Sequence, residues 1–446
     1  MRRTARHVVA VVGVALGVTC FAPAVGATSL SQAYDLARQN DRQWRQAQAR
    51  LRDVQELLPL ARGQLLPQVS LSASKSHIQQ EQTTGDRTSP QQSYPSDSQV
   101  LSVRQPVFRA RQFRAVEQAQ AQLEQGVQQL RAEEQQLAVR VVGSYLDALL
   151  AQDRRRLMDG QLALVSNRLA AAQAGLRAGQ GTRNDVDDAR AELDRIRAQS
   201  IQIDQAIQVS RRQVELLIGT QPGALDRLDL ERFDPLRLQA PALDAAVDAA
   251  LRDNPQVLAA QQEVRSASSA LAQAEANHLP TLDLVAQVGK STGENTFFAS
   301  TSTRSASLGL QFSLPLYAGG TISAQARQAA AKLEQATEAF EQVSNKVRID
   351  LQTEHNAVMQ GRVLIEALKT SVASAQEALK SSRRGQEAGV RSLLDVLRSE
   401  NLLFQAELDL AQARYTYLAA WLKLQGLMGA LKPDVVARLS ALFGSR

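Results

Sequence analysis

The chain is poor in cysteine, histidine, aromatic rings and long apolar runs, and each shortage closes off a class of function. Its one cysteine, Cys20, lies in a segment built like an export signal: Arg2, Arg3 and Arg6, an apolar run over 8–18, then Ala22, Ala24, Gly26 and Ala27. Cleavage after Ala27 is expected, leaving a mature chain without a thiol and therefore without disulfides or cysteine-held metal. Thr19 precedes Cys20 and Gly17 stands three before it, which does not match a lipid-attachment signal. The apolar run is too short to cross a bilayer as a helix, and polar sequence follows at Ser29.

Of the four histidines, His7 falls in the signal, His77 and His278 lie beside strand-like segments, and His355 stands alone on a helix. No phosphate loop, metal-spaced histidine pair or nucleophile elbow occurs, so neither catalysis nor a cofactor is expected. Removal of the three N-terminal arginines leaves about +3 of the formal +6. That charge is spread along helices without aromatic interleaving, and no nucleic-acid partner is expected. With aromatics at 4% and alanine, glutamine, leucine and arginine abundant, the composition favours long helices with modest cores over a compact α/β enzyme.

The most informative feature present is an internal repeat. Leu101, Pro106, Val107 and Phe108 return 209 positions later as Leu310, Pro315, Leu316 and Tyr317. Ala178-Gly179, Asp185-Val186 and Gly219 return 210 positions later as Ala388-Gly389, Asp395-Val396 and Gly429. Leu30, Ala33, Ala37, Leu66 and Pro67 match Leu243, Ala246, Ala250, Leu279 and Pro280 at an offset of 213. The chain therefore divides into a signal (1–27), a first repeat (28–219), a linker (220–241), a second repeat (242–429) and a tail (430–446).

Each repeat reads alike. A helix over 29–66 or 242–279 ends at Leu-Pro, because proline disfavours helix in the residue before it. Apolar alternation then marks strands, at Val69, Leu71 and Ala73 and at Leu282, Leu284, Ala286 and Val288. Polar loops are expected over 81–98 and 289–305, followed by a second alternating run such as Leu308, Leu310, Phe312, Leu314 and Leu316. Long proline-free stretches over 107–221 and 316–432 read as helical hairpins, with Leu351, Val358, Ile365, Val372 and Leu379 on a heptad seam. Each hairpin turns at a glycine, after Ala178 and after Ala388.

Lengths suggest an architecture. A helix over 109–177 runs roughly 100 Å, and one over 183–218 about half of that. The half-length helix is expected to be completed by the opening helix of the next repeat, 242–279, with 29–66 completing the other column. Four amphipathic strands of membrane-spanning length cannot close a barrel, and open edges cannot face lipid. Three chains would supply twelve strands, enough for a conducting barrel. A small soluble sandwich is the alternative reading of the same alternation.

Taken with the duplication and the Leu-Pro junctions, Ala388-Gly389-Val390-Arg391-Ser392-Leu393-Leu394-Asp395-Val396-Leu397 and Leu410-Ala411-Gln412-Ala413-Arg414-Tyr415-Thr416-Tyr417-Leu418 resemble the TolC family of outer-membrane efflux and secretion channels. The resemblance covers essentially the whole mature chain. It implies a mainly α fold with a small β part: a homotrimer with an α-helical tunnel across the periplasm and a twelve-stranded barrel in outer-membrane lipid. It also implies docking to a periplasmic adaptor and an inner-membrane ABC or RND transporter. A periplasmic adaptor or an envelope coiled-coil scaffold are the rival readings, but an adaptor would have one hairpin between compact β-domains.

By the same resemblance the hairpin turns form the constriction, with Asp185, Arg391 and Asp395 at gating positions and Asn184 and Gln386 beside them. Three copies of a carboxylate around a narrow axis would attract cations. Asp185 and Asp395 read equally as helix caps. Arg398 departs from the family, which often has an acidic or amide residue there, and Gln386 stands where the best-known gate has tyrosine. Phe108 and Tyr317 fit an interfacial aromatic girdle or ordinary core packing.

Overall fold

The computed structural model describes residues 28–444 apart from 82, 89–90 and 296–297. The signal expected over 1–27, with Cys20, lies outside the described residues. The first repeat opens with α1 (Leu30–Asn40), α2 (Arg42–Gln55) and α3 (Leu57–Gly63). Strands β1 (Gln68–Gln80) and β2 (Gln92–Arg109) follow, then α4 (Ala110–Arg177) and α5 (Arg183–Ile218). The second repeat runs α6 (Leu243–Asp253), α7 (Pro255–Glu275), β3 (Thr281–Asn295), β4 (Phe298–Ser313), α8 (Thr321–Glu387) and α9 (Leu393–Leu427). A short α10 (Pro433–Ser440) follows the second repeat. At 68 and 67 residues, α4 and α8 are each about 100 Å long.

The expected opening helices are real but broken. The breaks at Asp41 and Asn254 are 213 positions apart, and both residues leave helical geometry, with ψ 127° and 122°. Asp41 Oδ1 accepts from the Trp44 amide at 2.7 Å, and Asn254 Oδ1 accepts from the amides of Gln256 and Val257. Each residue therefore ends one helix and caps the next. The expected columns are also corrected. The Asn40 side-chain amide donates to Ile218 O at the end of α5, 2.7 Å, and Asn254 Nδ2 donates to Leu427 O at the end of α9, 2.9 Å. Each shorter helix thus meets the opening helices of its own repeat, because its last carbonyls need donors and these amides supply them.

The linker instead wraps the waist. Arg227–Leu228 pairs with Phe443–Gly444, and Phe233 lies edge-on to Tyr417 at 6.2 Å. The main core sits here, around Leu137, Val142, Tyr145, Leu149, Leu418 and Leu424. Tyr145 Oη donates to Thr28 O and Asp226 O, and Tyr417 Oη donates to Pro235 O and Leu238 O, fastening the linker to α4 and α9. On the heptad seam, Leu351, Val358 and Ile365 are fully buried as expected.

The four strands form one antiparallel sheet in the order β1-β2-β3-β4, with β1 and β4 at open edges. Pairing extends through most of the segments expected to be loops, over 92–98, 289–295 and 298–305. Serine and threonine there satisfy the same ladder as the apolar residues, without the apolar alternation that reveals a strand. The strands are consequently 13 to 18 residues long. Pro106 is accommodated at a bulge before Phe108.

Candidate functional site: hairpin turns and channel wall

The two faces of the sheet differ completely. Register places Val69, Val103, Ala286 and Leu308 in one row and Leu71, Leu101, Val288 and Ala306 in the next. Leu284 and Leu310, then Phe108, Leu282 and Phe312, continue the same face towards the helices. Leu71 is 74% exposed and Leu308 73% in the isolated chain, far more than a water-facing strand would tolerate across contiguous rows. The opposite face carries Ser70, Ser102, Gln287 and Ser307, then Ser72, Val100, Gly289 and Ser305, then Ser74, Ser98, Ser291 and Thr303. Near the helices this polar face holds Asp283, bonded to the Arg109 guanidinium, with Arg104 3.7 Å away. None of the described helices is long and apolar enough to cross a membrane.

At the other end, the hairpin turns repeat each other closely. Gly179 and Gly389 take φ of 72° and 74°. Gln180 N donates to Gly175 O and Val390 N to Gly385 O, both 2.9 Å, which closes the end of each long helix. Thr182 and Ser392 then cap the returning helices. Asp185 and Asp395 complete identical capping boxes: each backbone amide donates to the cap hydroxyl at 3.2 Å, and each carboxylate accepts from that hydroxyl at 2.7 Å. The Ser392 hydroxyl and backbone amide, both donating to it, hold the Asp395 carboxyl below the usual aspartate range, helped by the charges of Arg391 and Arg398. The cap reading of both aspartates is thus realised.

The six candidate residues are not brought together as one cluster. Arg391 Nη1 donates to Ser382 Oγ at 2.7 Å within its own hairpin, and its stem lies against Gly385, where an added Cβ would stand 3.0 Å from Arg391 Cγ. Among the described residues Asn184, Gln386 and Arg398 make no side-chain hydrogen bond. Phe108 sits on the apolar face in the row of Leu282, whereas Tyr317 is 88% exposed in the connection between β4 and α8.

A polar clasp does join the two hairpins above the turns, and sequence reasoning missed it. Glu400 on α9 is buried, and its Oε1 accepts from Arg168 on α4 (Nε 3.1 Å, with Nη2 also bonded) and from Arg383 on α8 at 3.2 Å. Glu400 Oε2 is buried without a partner. Beside it, Asn401 accepts from Gln161 at 2.6 Å and Arg195 at 3.0 Å and donates to Glu192 at 2.9 Å. The Glu192 carboxyl is lowered by its bond to Arg195 and, to a lesser degree, by that to Asn401. Around the clasp, Met158, Val165, Leu193, Ile196 and Leu397 form a second small core. A signal existed: continuing the four-three spacing back from Phe404 lands on Glu400, then on Leu397, a charge on an apolar seam.

Comparison with known proteins agrees with this geometry. The model of a family described as outer membrane efflux protein matches residues 33–220 and 246–430. The chain is 29% identical to the proteases secretion protein PrtF of Dickeya chrysanthemi, over 94% of this chain and 92% of that protein. It is 30% identical to the alkaline protease secretion protein AprF of Pseudomonas aeruginosa, over 94% and 88%. The crystal structure of the outer membrane protein VceC from Vibrio cholerae superposes with a TM-score of 0.79 at 18% identity, covering 90% of this chain and 96% of that one.

Proposed function

Because the chain belongs to the outer membrane efflux protein family, we propose that it is the exit duct of a type I secretion system, carrying protein cargo from an inner-membrane ABC transporter to the exterior. It works as a trimeric outer-membrane channel with an adaptor and an inner-membrane transporter, and a large part of it lies in the periplasm. The observation that carries the reading is the sheet: one face with contiguous exposed apolar rows, one face rich in hydroxyls and two open edges. Three copies set twelve strands side by side, satisfying every edge as lipid demands. The apolar face then meets the membrane and the hydroxyl face lines the duct. Protein cargo is favoured by similarity to two protease secretion proteins along nearly the whole chain.

The gate lies where the hairpin turns converge. Asp185 and Asp395 ring the mouth, Arg391 braces its own turn through Ser382, and Asn184, Gln386 and Arg398 face the gap. Arg398 one helical turn from Asp395 offsets part of the negative ring. Phe108 supports the inner edge of the membrane band, and Tyr317 flanks it. Single-channel recording of the purified trimer in a planar bilayer tests this. The expected result is a low, cation-selective conductance that Asp395→Ala raises and makes less selective. Silence from verified trimers would refute the channel, whereas pores indifferent to the substitution would remove Asp395 from the gate. Export of a reporter protease from cells that carry its transporter and adaptor but lack their own exit duct tests the cargo.

A further inference from the structure

The apolar face of the sheet does not fade into its polar rim gradually. One row beyond Leu71, Leu101, Val288 and Ala306 stand Ala73, Gln99, Lys290 and Arg304, and the next row holds Lys75, Asp97, Thr292 and Ser302. Lys290 and Arg304 are directly opposite each other on adjacent strands and both are exposed. Like charges so placed repel, and an anion held between them would relieve the repulsion. Neither makes an ion pair among the described residues. Asp97, a carboxylate on the same face, lies 3.8 Å from Lys75. A hollow of about 450 Å³ lies on the side of Lys290 away from Arg304, walled in part by Lys75, Asp97, Gln99, Lys290 and Thr292.

Height fixes what can enter. Phe312 and Arg304 are eight residues apart on one strand, which at barrel tilt places Arg304 roughly 20 Å above Phe312. An apolar band of a barrel is about 25 Å tall, so Lys290 and Arg304 stand at its outer boundary. Their stems lie along lipid chains while their charges reach the headgroup layer. These strand ends point away from the helices, and so towards the outer leaflet.

On the reading of the strands as a trimeric barrel, we propose that Lys290 and Arg304 form a phosphate site for an anionic, phosphorylated lipid of the outer leaflet, repeated three times around the barrel. Arginine gives the phosphate two parallel donors and lysine a point charge. The site explains an otherwise repulsive cross-strand pair and sets the depth at which the barrel rides in the membrane.

The test uses the purified full-length trimer, bisphosphorylated lipid A, its dephosphorylated counterpart and phosphatidylcholine, with native mass spectrometry counting retained lipids. Wild type is expected to retain up to three lipid A molecules and to select them over both other lipids. A K290Q/R304Q variant is expected to bind lipid A about 30-fold more weakly, each basic residue being worth roughly fivefold at an anionic surface. Its trimer stability and conductance should not change, and K290R/R304K should restore retention. Equal retention by the double variant, or no preference for the phosphorylated lipid, overturns the site. Displacement of lipid A by millimolar inorganic phosphate would identify a free-anion site and overturn it equally. Failure of wild type to insert into vesicles would instead sink the barrel reading on which the inference rests.

Discussion

Substituting Glu400 by glutamine isolates the clasp between the hairpins. The carboxylate is buried and holds Arg168, whose side chain is 15% exposed, and Arg383, which is 46% exposed. A buried charge-assisted hydrogen bond contributes about 1.5–3 kcal/mol, whereas a half-exposed pair is screened to about 1 kcal/mol or less. Glutamine keeps the volume, leaves Arg168 without its counter-charge and puts an amide in the place of the unpartnered Oε2. A loss of about 2 kcal/mol follows, mostly through Arg168, and multiplies the ratio of parted to joined hairpins about 30-fold. The assay is the time-averaged conductance of single trimers, since parting α9 from α4 widens the mouth. Glu400→Gln and Arg168→Gln should both raise the occupancy of the high-conductance level, and Arg383→Gln much less. A Glu400→Gln trace matching wild type, or equal effects of the two arginine substitutions, would show that the clasp does not oppose opening.

Further expectations concern stability and pH. Asn254→Ala removes two accepted cap bonds and the donor to Leu427 O, and should cost about 1–2 kcal/mol, read as a lower melting temperature of the trimer. Gly389→Ala should cost only about 1 kcal/mol for its left-handed backbone, because nothing lies within 4 Å of the new methyl, whereas Gly429→Ala should cost considerably more, its Cβ falling 2.2 Å from Asp253 O; comparable melting of the two variants would refute the packing at the waist. The depressed Asp395 carboxyl stabilises its turn fully above the ordinary aspartate value near 4, and that support is lost as pH falls through the lower folded value. The protection factors of amides around 392–395, which divide out the intrinsic pH dependence of exchange, should accordingly change little between pH 8 and 5 and fall only in stronger acid.

How much was legible depends on what marks each element. The apolar rows of the sheet announce themselves because leucine and valine alternate with serine, and the hairpins because glycine interrupts a proline-free run. The outer strand halves are invisible by that criterion, since Ser291 and Thr292, like Thr301, Ser302 and Thr303, put hydroxyls on both faces. Breaks at Asp41 and Asn254 were missed because one cap residue hardly disturbs a long periodic pattern. The column assignment failed for another reason: length matching cannot choose between two opening helices of equal size, whereas the bonds from Asn40 and Asn254 can. At the turns the sequence located the aspartates and their cap role, but not the clasp, whose partners come from four helices and share no spacing.

The serine-rich inner surface of the sheet has a consequence for traffic. Along Ser70, Ser72, Ser74, Ser102, Ser305 and Ser307 the duct offers short hydroxyls that hydrogen-bond water as readily as they would any passenger. Along these serine rows the surface stays wet and gives a passing chain few apolar or charged footholds, and transit needs binding weak enough to leave. The upper half of the molecule is then indifferent to what moves through it. One exit can serve any passenger that its transporter and adaptor deliver, and the choice of passenger is made upstream, before the cargo reaches this wall.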